Sequence, residues 1–112
     1  MIKNQWYVLL DSREIKKNKV LGVTRLGEKL VFWRDPQGSA HCMVDLCPHL
    51  GARLSQGKIV DGTIQCPFHG FEYDNSGQCT YLPAYGRNGV IPKALRVKQY
   101  PVYEKHGFIW VY

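Results

Sequence analysis

Apolar and polar residues alternate along most of this chain in short runs, a pattern that is typical of β-strands. Clusters of Gly, Pro, Asp and Asn separate the runs, and these residues favour tight turns. One helical turn is predicted from Asp11 to Lys17, because Asp11 and Ser12 are suitable N-cap residues. The predicted strands are Trp6–Leu10, Val20–Leu26, Lys29–Arg34, His41–Leu46, Lys58–Val60, Thr63–Gln65, Phe71–Tyr73, Cys79–Tyr81, Arg96–Tyr103 and Phe108–Tyr112. We therefore expect an all-β fold of antiparallel sheets.

The turn signals pair neighbouring runs into hairpins. The candidate turns are Gly27-Glu28, Asp35-Pro36-Gln37-Gly38, Asp61-Gly62, Asp74-Asn75-Ser76-Gly77 and Lys105-His106-Gly107. Residues Pro83–Lys93 contain two Gly and two Pro and are predicted to form a loop that is mobile or faces a partner. The large aromatic residues are predicted to lie in the core; these are Trp6, Phe32, Trp33, Phe108 and Trp110.

Two of the predicted loops carry the candidate chemistry. The first contains Cys47 and His49, the second contains Cys66 and His69, and sixteen residues separate His49 from Cys66. Each loop thus offers one thiolate and one imidazole. A set of two Cys and two His suits a [2Fe–2S] cluster in which both Cys bind one iron and both His bind the other. The spacing predicts electron transfer as the first function to consider.

Charge counting explains why His is useful in such a site. Two ferric irons, two sulfides and two thiolates sum to zero, and neutral imidazole adds no charge. Replacing both His by Cys would make the oxidised cluster dianionic, so that adding an electron would be harder. Zinc is the alternative metal for the same four residues, but zinc fingers usually pair Cys with Cys and His with His, whereas each loop here mixes the two.

The segments around both loops resemble the N-terminal domain of the large subunits of Rieske non-haem iron oxygenases that hydroxylate aromatic rings. Residues 45–57 resemble the first ligand loop of that family, and residues 66–79 resemble the second. The resemblance implies an all-β Rieske-type (ISP) fold for residues 1–112, with a small inserted cluster-binding subdomain at about 45–82. It also implies that Cys47, His49, Cys66 and His69 bind a Rieske-type [2Fe–2S] cluster, with the two His on the outer iron.

The chain also departs from that family and from its respiratory relatives. Many of the oxygenases have Arg after the first His, where this chain has Leu50. Respiratory Rieske proteins have an additional Cys in each loop, and the matching positions here, Ala52 and Phe68, cannot form that disulfide. They also have a Ser that donates a hydrogen bond to the cluster, where this chain has Phe71. Fewer donors predict a potential of roughly −150 mV rather than +300 mV.

A Rieske oxygenase also needs a mononuclear iron held by two His and one carboxylate. After the cluster ligands, only His41 and His106 remain, and we expect both to be ordinary strand or turn residues. The resemblance therefore implies that this chain transfers electrons from an NAD(P)H-dependent reductase or ferredoxin to a catalytic site outside this chain. If the chain is part of an oxygenase, the resemblance also implies a homotrimer. Two alternatives stay open: a complete Rieske-type ferredoxin or small redox subunit, and a regulatory iron–sulfur sensor that binds a partner.

The composition narrows the partners. The formal net charge is +6, which predicts docking to an acidic redox protein or simply a solvated basic surface. No nucleic-acid motif is present, and we expect no nucleic-acid partner. No signal peptide and no apolar run of membrane-spanning length is apparent, so a cytoplasmic protein is predicted. A buried Cys42 and a loop Cys79, both reduced, fit that compartment, and a disulfide between them has no positive support.

Overall fold

A computed structural model describes residues 5–46, 53–60, 62–67, 71–81 and 96–112 of the chain. These ranges contain strands and two 3-10 turns and no α-helix. The 3-10 turns are Ser12–Glu14 and Leu54–Gln56. The strands are β1 Tyr7–Asp11, β2 Leu21–Arg25, β3 Glu28–Arg34, β4 Ala40–Val44, β5 Lys58–Val60, β6 Thr63–Gln65, β7 Glu72–Tyr73, β8 Cys79–Tyr81, β9 Gln99–Tyr100, β10 Val102–Lys105 and β11 Phe108–Val111.

The strands form three antiparallel sheets, which confirms the predicted all-β architecture. The first sheet has the order β1-β11-β10, the second β2-β3-β4-β9, and the third β5-β6-β7-β8. We call the first two sheets the base. The third sheet contains only strands from the middle of the sequence, so it is inserted between β4 and β9 of the base.

The predicted helical turn after β1 is real but short. Asp11 accepts a hydrogen bond from Arg13 N (2.8 Å), and Glu14 accepts one from Asp11 N (2.8 Å). This reciprocal arrangement is a capping box, which satisfies the free N–H groups at the start of the turn. The turn ends at Glu14 rather than at the predicted Lys17.

The predicted strand Arg96–Tyr103 is wrong as a single element. Tyr100 ends β9, which pairs with β4 in the second sheet, whereas Val102 begins β10, which pairs with β11 in the first. Pro101 lies between them, and its missing N–H removes one bond of the ladder. The chain therefore changes sheet at this proline.

Strand β3 separates two apolar cores. Its residues Leu30–Trp33 are all completely buried, and alternate side chains point to opposite faces. Leu30 and Phe32 belong to a core shared with the first sheet, which also contains Ile109 and Val111. Val31 and Trp33 belong to a second core that contains residues of the third sheet. The third sheet is thus packed directly on β3 of the base.

The prediction that all five large aromatic residues are core residues is wrong for three of them. Trp6 is 47% exposed and Phe108 is 45% exposed, and Trp110 is half-buried. Trp6 packs instead on Tyr112, with ring centroids 4.9 Å apart. These side chains lie on the outer face of the first sheet, where the alternation of β11 directs only Ile109 and Val111 inward. Phe32 and Trp33 are buried as predicted.

Candidate metal centre

Cys66 is the one predicted ligand that lies within the described residues; Cys47, His49 and His69 lie outside them. Cys66 directly follows β6, is 2% exposed, and belongs to the core that also contains Trp33 and Phe71. Its thiol is not part of a disulfide. Cys66 therefore has a fixed position at the end of a strand, where its thiolate would serve as an iron ligand.

Backbone pairing closes the segment that follows Cys66. In the β6–β7 ladder, Gln65 lies opposite Glu72, and Cys66 N then donates a hydrogen bond to Phe71 O (2.7 Å). The hairpin is therefore closed at Cys66 and Phe71, and His69 belongs in sequence to the short connection between them.

Hydrogen bonds join Asp45 and Ser55, which lie on either side of Cys47 and His49 in the first ligand segment, residues 45–57. The sequence analysis did not single out Asp45. Asp45 is 1% exposed and precedes Cys47 by two residues. Its Oδ1 accepts a hydrogen bond from Ser55 N (2.7 Å), and its Oδ2 accepts one from Ser55 Oγ (2.6 Å). The sequence did contain a signal for this role, since an acidic residue lies between an apolar strand and Cys47. A carboxylate that is buried at such a position needs several hydrogen-bond donors.

A surface cavity of about 340 Å³ opens beside Cys66. It is lined by Gln56, Gly57, Lys58, Gln65, Cys66 and Pro67. The exposed Lys58 places a positive charge on its rim. The cavity lies between the end of β6, where Cys66 follows, and the 3-10 turn Leu54–Gln56.

The remaining cysteines, Cys42 and Cys79, are both buried. The prediction that Cys79 is a loop residue is wrong, because Cys79 lies in β8 and is 2% exposed. Cys42 lies in the other core, on β4, and burial raises the pKa of its thiol. None of Cys42, Cys66 and Cys79 is in a disulfide, so the Cys42–Cys79 disulfide does not form.

The two remaining histidines are a strand residue and a turn residue, as predicted. His106 has φ of 56° in the turn between β10 and β11. His41 lies on β4, with Nε2 2.7 Å from Asp35 Oδ2, a pairing that the sequence analysis missed. The hydrogen bond from His41 lowers the pKa of Asp35. Within the described ranges, no three or more His, Cys, Asp and Glu side chains are grouped to hold a metal ion.

The described part of the chain contains no helix with the length and apolar character needed to cross a membrane.

Comparisons with known proteins identify the family. The family described as "Rieske [2Fe-2S] domain" matches residues 5–101. The oxidoreductase NdmD of Pseudomonas putida is 40% identical over 96% of this chain, and dicamba O-demethylase, oxygenase component, of Stenotrophomonas maltophilia is 41% identical over 99% of it. The crystal structure of apo dicamba monooxygenase superimposes with a TM-score of 0.89 at 42% identity over 97% of this chain.

This chain is much shorter than those proteins. It spans 18% of NdmD, 32% of the dicamba O-demethylase component and 33% of the dicamba monooxygenase chain. The structural match confirms the predicted Rieske-type fold, and the family match confirms the predicted cofactor. The chain therefore belongs to the Rieske [2Fe–2S] domain family, with a Rieske-type [2Fe–2S] cluster as its cofactor and electron transfer as its role.

Proposed function

We propose that this chain carries single electrons through a cluster held by Cys47, His49, Cys66 and His69. The observation that carries the proposal is Cys66, a buried thiol at the closed base of a hairpin whose connection includes His69. Cys47 and His49 supply the matching pair in the first segment. When bound, the cluster accepts one electron and gives it up again.

The four residues have different tasks. We assign Cys47 and Cys66 to the inner iron, and the burial of Cys66 in the core supports that assignment. We assign His49 and His69 to the outer iron, from which electrons enter and leave. Imidazole titrates near neutral pH, so the free ring nitrogens can couple proton release to oxidation.

The proposed electron path runs from an NAD(P)H-dependent reductase or ferredoxin to a non-haem iron oxygenase site that this chain does not supply. The name of the dicamba O-demethylase relative, an oxygenase component, supports this path. In this proposal the catalytic unit acts on aromatic or other apolar substrates, in the cytoplasm, and the assembly is a homotrimer. The net charge of +6 favours an acidic electron donor, so the rate at which that donor reduces this chain should fall as the salt concentration rises.

The test uses two buried cysteines that differ only in their proposed role. Cys66 and Cys79 are each 2% exposed and belong to the same apolar core. Cys66→Ser should lose the cluster, whereas Cys79→Ser should keep about two irons per chain and the rhombic electron paramagnetic resonance (EPR) spectrum of the dithionite-reduced wild type, with an average g near about 1.9. Iron and zinc analysis accompanies the spectra, and the midpoint potential is measured on the wild type.

Two results would contradict the proposal. If Cys66→Ser retained the wild-type spectrum and iron content, Cys66 would not be a ligand. A wild-type protein that contained one zinc and gave no EPR signal after reduction would remove the electron-transfer function itself. A midpoint potential above about +100 mV would leave the function intact but contradict the expected low potential.

A further inference from the structure

The first ligand segment is spanned by a single buried carboxylate. The side chain of Asp45 is 0% exposed, and its two oxygens accept hydrogen bonds from the backbone and the hydroxyl of Ser55. Cys47 and His49 lie between these two residues in sequence. We propose that Asp45 is a positioning residue for the [2Fe–2S] cluster, because it fixes the span of the segment that supplies two ligands. This inference rests on the ligand assignment proposed above.

The Asp45 end of the segment is fixed by the base. Val44, the last residue of β4, donates its N–H to Lys98 O (2.9 Å), and Asp45 donates its own N–H to Lys29 O (3.0 Å). Both bonds attach the chain to the second sheet immediately before the ligand segment begins. The carboxylate therefore extends from an anchored backbone position.

The other end of the segment depends on the Asp45 carboxylate for a helix cap. It is the 3-10 turn Leu54–Gln56, whose N-cap residue Arg53 makes no side-chain capping bond. Asp45 supplies that cap from across the segment by accepting from Ser55 N. Leu54 is completely buried in the core that also contains Cys66. The cap thus determines where the returning chain enters the core that the second ligand segment shares.

The charge of Asp45 suits this task better than a neutral amide would. Three donors converge on it, since Arg53 Nε also lies 3.2 Å from Oδ2. An Asn at this position would place an NH₂ group where a second acceptor oxygen is needed, so it could not keep all three of these bonds. The partly exposed Arg53 offsets the cost of burying the carboxylate.

Glycine 57 transmits the position of this turn to the second ligand segment. A Cβ atom at Gly57 would clash with the carbonyl oxygen of Gln65, so the two backbones are in contact. Gln65 immediately precedes Cys66. A shift of the turn would therefore displace Gln65 and, with it, Cys66.

Gly22 offers a way to disturb the same contact from outside the ligand segments. It lies on β2 in the base, and a Cβ there would lie 2.5 Å from Ser55 Cβ and Oγ and 3.2 Å from Asp45 Oδ2. Gly22→Ala should therefore displace Ser55 from Asp45 without altering any residue between 45 and 82. It tests the contact rather than the identity of either partner.

The experiment compares wild-type holoprotein with Asp45→Asn, Ser55→Ala and Gly22→Ala. Asp35→Asn is the matched control, because Asp35 is also a buried carboxylate that binds two backbone N–H groups, those of Gln37 and Ser39, but it lies in the β3–β4 turn. The readouts are iron per chain, the rate of cluster loss in a chelator, the EPR g values and the midpoint potential.

Asp45→Asn should lose its cluster about tenfold to a hundredfold faster than the wild type, the range found when residues that orient metal ligands are replaced. Its remaining cluster should have shifted g values and a shifted midpoint potential. Ser55→Ala and Gly22→Ala should show the same changes to a smaller extent, and Asp35→Asn should match the wild type in all four readouts. If Asp45→Asn does not fold, the other two variants decide.

Two results would overturn the inference. In one, all three variants lose the cluster at the wild-type rate. In the other, they lose it faster but keep wild-type g values and potential, which indicates lower stability alone. The double variant Gly22→Ala/Ser55→Ala should be no worse than the more severe single change, because both remove the same contact. A wild-type protein without any [2Fe–2S] cluster would instead refute the proposed function, and this inference with it.

Discussion

The base and the third sheet of this domain are stabilised in different ways. In the base, β3 has seven residues and β2 and β4 have five, and the central strand is buried on both faces. In the third sheet, strands have only two or three residues. The turn between β7 and β8 is held by a side chain, since Asp74 Oδ1 accepts from Ser76 N (2.9 Å), Ser76 Oγ (2.6 Å) and Gln78 N (3.2 Å).

This difference indicates a division of labour. Long registered strands and apolar packing can stabilise the base without a cofactor. Strands as short as those of the third sheet are marginal on their own, and a metal centre adds stability to the residues that bind it. We infer that the third sheet depends on its cluster for local order, whereas the base supplies the rigid surface on which the cluster is carried.

The most direct way to break this comparison is to remove the iron. After chelation, amide hydrogen exchange should become at least tenfold faster in β6 and β7, next to Cys66, while β3 and β11 keep their protection. The reason is that opening of the third sheet then no longer costs the free energy of metal binding. The measurement is exchange followed by mass spectrometry on iron-loaded and iron-free protein. Equal acceleration in both regions would show that the domain unfolds as one unit.

Arg34 offers the strongest test of the base. Its guanidinium donates to the carbonyls of Ser12 (2.9 Å), Ile15 (2.8 Å) and Gly38 (2.8 Å), and to both oxygens of Glu104 (2.8 Å each). Arg34→Lys cannot reproduce this planar set of donors and should lower the free energy of unfolding by about 3 kcal/mol.

Urea unfolding measures this effect, and Arg13→Lys is the control. Arg13 pairs with Asp11, but its side chain is 91% exposed, so its replacement should change the free energy of unfolding little. The Arg34 variant should still bind iron if the protein is folded, since none of these contacts reaches the ligand segments. Equal stabilities for the two variants would contradict the role assigned to Arg34.

The sequence predicted the fold well where a local signal was sufficient. Lys58–Val60 and Thr63–Gln65 were predicted with the observed bounds, because Asp61-Gly62 marks the turn between them. Arg96–Tyr103 failed because the choice of sheet on each side of Pro101 depends on distant partners. The prediction that Trp6 and Phe108 are core residues was wrong because the alternation pattern does not show which face of the first sheet is covered.

The site was predictable only in part for the same reason. The spacing of Cys and His identifies the ligand set, since metal chemistry restricts it to few residue types. The three donors that converge on Asp45 come from residues eight and ten positions later in the chain, and the fit of Gly22 against Ser55 comes from a separate sheet. Such contacts between distant positions have no local pattern, and a structure is needed to find them.

Glycine substitutions compare the two regions at the level of single backbone contacts. Gly57→Ala would drive a Cβ into Gln65 O in the third sheet, whereas a Cβ at Gly38, in the base turn, meets nothing within 4 Å. Gly57→Ala should lower the free energy of unfolding by about 2 kcal/mol and reduce the iron content. Gly38→Ala should cost about 1 kcal/mol through its positive φ of 89°, with full iron content. Iron analysis and urea unfolding of both variants test this, and iron loss in Gly38→Ala would contradict it.

The smallest expected effect is a pH dependence confined to the base. The hydrogen bond from His41 holds the pKa of Asp35 below its ordinary value of 3.8. Because the pKa is lowered on folding, the ionised Asp35 contributes stability above pH 3.8, and that contribution is lost as the pH falls through the lowered value. Asp35→Asn should therefore cost about 1 kcal/mol at pH 6, and the difference from the wild type should shrink below pH 4.

Urea unfolding of iron-free protein at several pH values from about 6 to about 3 measures this difference, and other carboxylates cancel in it because both proteins contain them. Asp35 and His41 lie at the β3–β4 turn, so the effect should also be seen as faster hydrogen exchange in β3 and β4. A difference that stayed constant down to pH 3 would mean that Asp35 acts through the shape of its turn and not through its charge. The hydrogen bond between His41 and the charge of Asp35 would then contribute nothing measurable to the stability of the base.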